Sequence, residues 1–193
     1  DVIRVIRHAK DNDDISTLLI STDSFAGGST TKLELIAKEI SNFKSEGKKV
    51  IAYSKMGYGT SQYYLASLAD EVHLHDYTAV FIDGYRSTRT YYKSFFDKFL
   101  IDGNVFKVGE YKAFVEPYFR DSMSDEAKGN VIEWITVLWD GYLEQVSEAR
   151  GISSESLKYF IDNPGLVAKE SGGDFANAAV EYGIIDQLSN RRE

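Results

Sequence analysis

Cysteine is absent from the 193-residue chain, which excludes disulfide scaffolds, thiolate metal sites and cysteine nucleophiles in one step. Proline is scarce at two residues, and neither a low-complexity tract nor an internal repeat interrupts the sequence. Positive charge is also in short supply. With 22 Lys and Arg against 30 Asp and Glu the formal charge is −8, and no basic stripe is present that could neutralise a run of phosphates. Nucleic acid is thereby excluded as a partner. Long apolar runs are missing as well: none approaches the ~20 residues that a membrane-spanning helix requires, and no basic segment followed by an apolar one opens the chain.

What is present suffices for a core. Hydrophobic residues make up 43% of the chain and aromatics 13%, so one sizeable core is expected. The reading is a single domain over 1–193 with a helical extension at about 124–165. The opening DVIRVIRHAKDND reads as a helix already under way, with Val2, Ile3, Val5, Ile6 and Ala9 on one face. The closing QLSNRRE follows a strand-like GIID. Both ends are expected of a piece of a longer protein.

Along the chain, strand and helix patterns alternate. ISTLLIS at 15–21 has the composition of a strand buried on both faces of a parallel sheet. A loop, TDSFAGGST, leads to a helix from about Thr31, with Leu33, Ile36, Ile40 and Phe43 at three- and four-residue spacings and Gly47 at its end. Then come strand KKVIAYS, turn MGYGT, helix SQYYLASLAD, strand EVHLH, strand TAVFIDGYR, helix STRTYYKSFFDKFLID and the apolar NVFKVGEY. This order predicts α/β layering with right-handed crossovers. The last third changes character. Helices at about 124–149 and 153–162 carry Trp134, Ile135, Leu138, Trp139, Tyr142 and Val146 in an apolar stripe, and a short helix and a closing strand follow.

Six features bear on chemistry. Gly27 and Gly28 in SFAGGST lie between a strand and a helix. Their N–H groups suit an oxyanion, or the pair simply makes a tight turn needing positive φ. The segment matches neither a dinucleotide fingerprint nor a phosphate loop. His73 and His75 share one strand face, which suits zinc or a surface role; no third ligand stands at helical spacing, and neither metal nor cofactor is expected. DNDD at 11–14 lacks the alternation of a calcium loop.

Lys112, in VGEYKAFVEP, follows an apolar segment and precedes another. Partial desolvation there lowers an ammonium pKa toward that of a general base; alternatively its stem covers the core while the charge reaches water. Glu116 and Arg120 are spaced for a helical ion pair. Ser61 stands at a turn-to-helix junction without the G-x-S-x-G signature, a position that suits a cap or first-turn hydroxyl.

Read as a whole, the segment from GKKVIAYSKMGYGTSQYYLAS through GEYKAFVEPYFRDSMS resembles the N-terminal half of the long-form signal peptide peptidase A (protease IV) family. The likeness runs from HAKDNDDIS to AVEYGIID, and QYYLAS and GEYKAFVEP are its most specific pieces. The resemblance implies a ClpP/crotonase-like α/β fold of repeated strand-helix units and a serine-type endopeptidase that degrades cleaved signal peptides. It also implies that Lys112 is the base of a Ser-Lys dyad whose serine lies in a C-terminal half. Thr60 falls on the nucleophile's place in the corresponding stretch GTSQYY, and Gly27 and Gly28 match the oxyanion loop, with Phe25 and Ala26 where Ser-Pro would stand. Further implications are peptide substrates, a homo-oligomer, a membrane anchor outside this sequence, and a bacterial inner-membrane location with the catalytic part on the extracytoplasmic side. A crotonase-like acyl-CoA enzyme and a non-catalytic assembly module are the competing readings.

Overall fold

In chain order the elements begin with α1 (Val2–Lys10), β1 (Thr17–Ser21), α2 (Thr30–Ser45) and β2 (Lys49–Ser54). They continue with β3 (Tyr58–Gly59), α3 (Thr60–Ala66), β4 (Glu71–Leu74) and β5 (Val80–Phe81). This computed structural model describes residues 2–102, 104 and 113–190. The later elements are α4 (Lys93–Lys98), a 3-10 turn (Ala113–Val115), α5 (Glu116–Phe119) and α6 (Asp125–Arg150). Helices α7 (Ser154–Asp162), α8 (Pro164–Glu170) and α9 (Phe175–Glu181) and strand β6 (Gln187–Leu188) complete the series. The chain divides into two units, 1–84 with 140–193, and 85–139.

In the first unit four parallel strands lie in the order β1-β2-β4-β6, and a separate parallel pair joins β3 to β5. Val50, Ala52, Val72 and Leu74 are fully buried at alternate positions of the two central strands, the period-2 pattern of a sheet covered on its inner face. β1 departs from the expected strand buried on both faces. Leu19 is 63% exposed, on a strand that among the described residues pairs with β2 alone. β5 is two residues long where the longer strand TAVFIDGYR was expected, and β3, also of two residues, stands in the stretch read as the turn MGYGT.

Helix α2 covers the sheet through Leu33, Ala37, Ile40 and Phe43, one apolar stripe at helical spacing. α1 buries only Ile6 and Ala9, whereas Val2 and Val5 are exposed. Its attachment to α2 is also polar: Arg7 donates to the buried Glu39 carboxylate at 2.6 Å. The Lys48 ammonium donates to the carbonyls of Ala9, Lys10 and Asn12 at 2.7–2.9 Å, which sets a cation at the C-terminal end of α1, where the helix dipole favours one.

β6 is fastened by a partly buried polar latch. Asp186 exchanges two bonds with Val72, its N–H to the Val72 carbonyl and its carboxylate from the Val72 N–H. The same carboxylate accepts from Arg150 at 2.8 Å, and the Tyr63 hydroxyl donates to the Ile184 carbonyl.

The expected apolar stripe of α6 is buried only from Tyr142 through Leu143 to Val146, while Trp134 is 46% exposed. In the 85–139 unit the rings of Tyr92, Phe96 and Tyr118 stack on one another, and Ser94 donates to Asp121 from both its N–H and its hydroxyl. The helical ion pair expected of Glu116 and Arg120 is replaced by a cap. Glu116 accepts from the Ser124 hydroxyl and N–H, and Ser124 in turn accepts from the Ala127 N–H at the start of α6. A serine ahead of a helix bonds the nearest free N–H groups, and the Ser124 bonds, against the cost of partial burial, keep the Glu116 carboxyl below its ordinary range.

Candidate active site

Three segments far apart in sequence meet at the N-terminal turn of α3. The first is the loop after β1, which contains Gly27 and Gly28. Gly27 has φ +107°, whereas Gly28 lies outside the left-handed region, so positive φ is needed at one of the two glycines only. The space beside the Gly27 Cα is bounded by the Ser61 hydroxyl, 3.3 Å from where a Cβ would stand.

Two side-chain anchors hold this loop. Asp23 accepts from the Ser54 hydroxyl at 2.9 Å and from the N–H groups of Lys55 and Met56 at 2.9 and 3.2 Å. Gln62, in the first turn of α3, donates to the Phe25 carbonyl at 2.6 Å. The loop is therefore tied at one end to the β2–β3 turn and at the other to α3. Phe25, one of the two residues that depart from the resembled pattern, supplies the carbonyl for the second tie.

The second segment is the turn from β3 into α3. Gly57, at φ +91°, passes so close to β5 that a Cβ there would stand 2.6 Å from the Ala79 carbonyl oxygen. This approach lets the Tyr58 N–H donate to that carbonyl at 3.1 Å and starts the parallel pairing of Tyr58 with Val80 and Gly59 with Phe81. Thr60, the first residue of α3, is buried.

The third segment is Asp83, just past β5. The Thr60 hydroxyl donates to its carboxylate at 2.7 Å and accepts from its N–H at 3.1 Å. The proton of that hydroxyl and one of its two lone pairs are thereby engaged. Ser61 is half-buried and faces the Gly27 loop, and its hydroxyl has no hydrogen-bond partner among the described residues.

Of the residues singled out from sequence, Gly27, Ser61 and Thr60 come together here, with Gly28 next to them against Leu33 and Phe25. Lys112 lies outside the described residues. Sequence reasoning missed Asp23, Gln62 and Asp83. The only signal for Asp83 is its place at the end of a short β-like run, since the parallel β3–β5 pairing decides its partner.

The histidines stand apart from this cluster. His73 bonds Ser189 through Nδ1 at 2.8 Å and Glu71 through Nε2 at 3.1 Å, and His75 lies 2.8 Å from Asp76. Among the described residues no group of three His, Cys, Asp or Glu side chains is placed to hold a metal ion, and no helix is long and apolar enough to cross a membrane.

Comparison with known proteins yields one family match and several relatives. The model of peptidase family S49 matches residues 42–193, a span that contains Thr60, Asp83 and Lys112. The chain is 40% identical over 157 residues to a protein named Protease 4 from Haemophilus influenzae, covering 81% of this chain and 25% of the relative. It is 36% identical over 194 residues to Protease 4 from Salmonella typhi, covering 98% of this chain and 31% of the relative. A chloroplastic serine protease SPPA from Arabidopsis thaliana is 28% identical over 131 residues, which is 68% of this chain and 19% of that protein. The chain thus spans about a quarter to a third of the two bacterial relatives.

Proposed function

The chain belongs to peptidase family S49, and on that premise we propose that it forms the lysine-bearing part of a serine endopeptidase with the ClpP/crotonase-like arrangement of repeated strand-helix units. The observation that carries the reading is the family match across 42–193, which includes the phrase GEYKAFVEP around Lys112. The substrate class is cleaved signal peptide, and the reaction is acyl transfer. A serine hydroxyl attacks the peptide carbonyl while neutral Lys112 takes its proton, and the lysine then returns a proton to the leaving amine. No metal or cofactor enters this scheme. The whole protein works as a homo-oligomer at the extracytoplasmic face of a bacterial inner membrane, held by an anchor outside this sequence.

The serine comes from outside this chain in that reading. What supports it is the state of Thr60, whose hydroxyl is committed to Asp83 in both directions. Gly27 and Gly28 then belong to a loop kept for its architecture. One observation favours a second reading, in which Ser61 is the nucleophile: its hydroxyl adjoins Gly27 and has no other partner among the described residues.

Peptide turnover by the complete protein decides between them. In the first reading Lys112→Ala abolishes turnover and Ser61→Ala leaves it within a few-fold of the parent. Loss of turnover in Ser61→Ala at unchanged thermal stability establishes the second. Full turnover in Lys112→Ala overturns both.

A further inference from the structure

The 3-10 turn Ala113–Val115 and α5 follow directly on Lys112 in the chain, and they are anchored within their own unit at several points. The Tyr92 N–H donates to the Pro117 carbonyl at 2.6 Å, Pro117 is buried, and the Tyr118 ring stacks on those of Tyr92 and Phe96. The remaining anchor differs in carrying a charge. It is the bond pair between Glu116 and Ser124.

Ser124 precedes α6 and is 7% exposed. Its hydroxyl donates to one Glu116 carboxylate oxygen at 2.5 Å, its N–H donates to the other at 3.2 Å, and the hydroxyl accepts from the Ala127 N–H at 3.2 Å. In a capping box the acceptor for the N-cap N–H is a Glu or Gln at the third helical position. Ala127 holds that place here, and Glu116, eight residues ahead of the serine, supplies the acceptor instead. The Glu116 side chain is thereby turned toward the start of α6.

The same carboxylate has a cation four positions before it, Lys112, and another four positions after it, Arg120. Side chains at that spacing on a helical turn are neighbours, and the 3-10 turn that separates Glu116 from Lys112 rises only ~2.0 Å per residue. Lys112 itself lies outside the described residues. Bonds from Ser124 first, and the charges of Arg120 and Arg89 after them, outweigh burial and keep Glu116 ionised at neutral pH. The first turn of α6 adds Asp125 and Glu126, while Asp121 bonds Ser94 and Lys93 pairs with Asp97. An ionised carboxylate free to reach a lysine favours the protonated ammonium, and an ammonium cannot take a proton from a serine.

We propose that Ser124 is a positioning residue of the peptidase: by holding the Glu116 carboxylate at the start of α6, it keeps that carboxylate off the Lys112 ammonium and leaves the lysine free to act as the base. The inference rests on the proposed role of Lys112 and adds to it a serine that touches no substrate.

The test is the pH dependence of kcat/KM, which reports the ionisation of the free enzyme's base, measured on the complete protein with a fluorogenic peptide of signal-peptide composition. In Ser124→Ala the freed carboxylate is expected to move the rising limb about one pH unit toward alkaline. Turnover on that limb then falls about tenfold, while the high-pH plateau stays within about twofold of the parent. Damage to the fold would lower limb and plateau together. Ser124→Thr keeps the hydroxyl and is expected to keep the parental limb. When Ser124→Ala is combined with Glu116→Gln no carboxylate remains to pair, and the limb is expected to return to its parental position. Ser124→Gly repeats the measurement with a residue that N-cap positions tolerate, should the alanine protein melt below the assay temperature. A parental limb in both Ser124→Ala and Ser124→Gly overturns the proposal, because the freed carboxylate then turns to Arg120 or to water. So does a limb that stays displaced in the double variant. Full turnover in Lys112→Ala removes the lysine from the peptidase and this inference with it, whereas a Lys112-dependent enzyme whose limb ignores Ser124 loses the inference alone.

Discussion

Thr60 and Asp83, 23 positions apart, clasp each other through two hydrogen bonds, hydroxyl to carboxylate and N–H to hydroxyl. The clasp closes the end of the β3–β5 pair and fixes the first residue of α3. The hydroxyl gives its proton to the Asp83 carboxylate and one of its two lone pairs to the Asp83 N–H, so Asp83 sets its orientation.

Thr60→Val removes both bonds while keeping the shape, and leaves the Asp83 N–H without its acceptor. The expected cost is about 1–2 kcal/mol, since the exposed carboxylate regains water. Thr60→Ser restores the clasp and most of that stability. Urea denaturation of the three proteins measures the series, and a valine variant as stable as the parent contradicts the role assigned to the clasp.

At Gly57 any side chain meets the Ala79 carbonyl at 2.6 Å, in a conformation with φ +91°. Gly57→Ala therefore must move β3 away from β5, and the expected loss is about 2–4 kcal/mol, in the range of strained-backbone and overpacking substitutions. Gly129, within α6, has nothing within 4 Å of the point where an alanine methyl would stand, so Gly129→Ala is expected to be neutral or slightly stabilising. Thermal melts of the two variants should shift in opposite directions, and a Gly57→Ala protein that melts with the parent contradicts the close approach of β3 to β5.

Stability is expected to fall in acid through Asp186 and Asp70. Burial pushes both carboxyls up, but for Asp186 the bonds from Arg150 and the Val72 N–H outweigh it, and for Asp70 those from the Val50 N–H and Lys44 do. Both pKa values end below the ordinary range. A carboxyl depressed in the folded state stabilises it above the unfolded pKa of about 3.9, and this contribution is lost as pH falls through the folded value. Asp186→Asn should flatten the acid limb of the stability curve. At neutral pH it should cost about 1–3 kcal/mol, because the Arg150 side chain, 7% exposed, loses its charged partner, discounted for the partial solvation of Asp186. An unchanged acid limb in a melt series from pH 7 to pH 3 removes Asp186 from this account.

Lys112→Arg separates charge from proton transfer in the complete enzyme. Arginine keeps the positive charge, yet its pKa above ~12 bars it from serving as a base. Turnover is expected to fall by ~10² or more, nearly as far as in Lys112→Ala, with melts unchanged. An arginine variant with near-parental turnover makes the lysine a structural cation.

Local pattern determined much of this protein. The apolar run VIAY within KKVIAYS, the stripe Leu33–Ile40–Phe43 and the glycine after α2 specify β2 and α2 without reference to the rest of the chain. The meeting of the Gly27 loop with the α3 turn was also foreshadowed, because residues at strand-to-helix junctions of parallel units collect at one end of a sheet. Other properties depended on partners that only folding supplies. Leu19 is exposed on a strand that among the described residues pairs with β2 alone, and Glu116 bonds Ser124 because the chain after α5 brings the start of α6 back against its carboxylate. Thr60 is bound to Asp83 only because two-residue strands pair in parallel. Alternation and helical spacing are carried by neighbouring residues, so they can be read along the chain. Burial at an edge and the commitment of a hydroxyl are set by what arrives from elsewhere, and only the folded arrangement decides them.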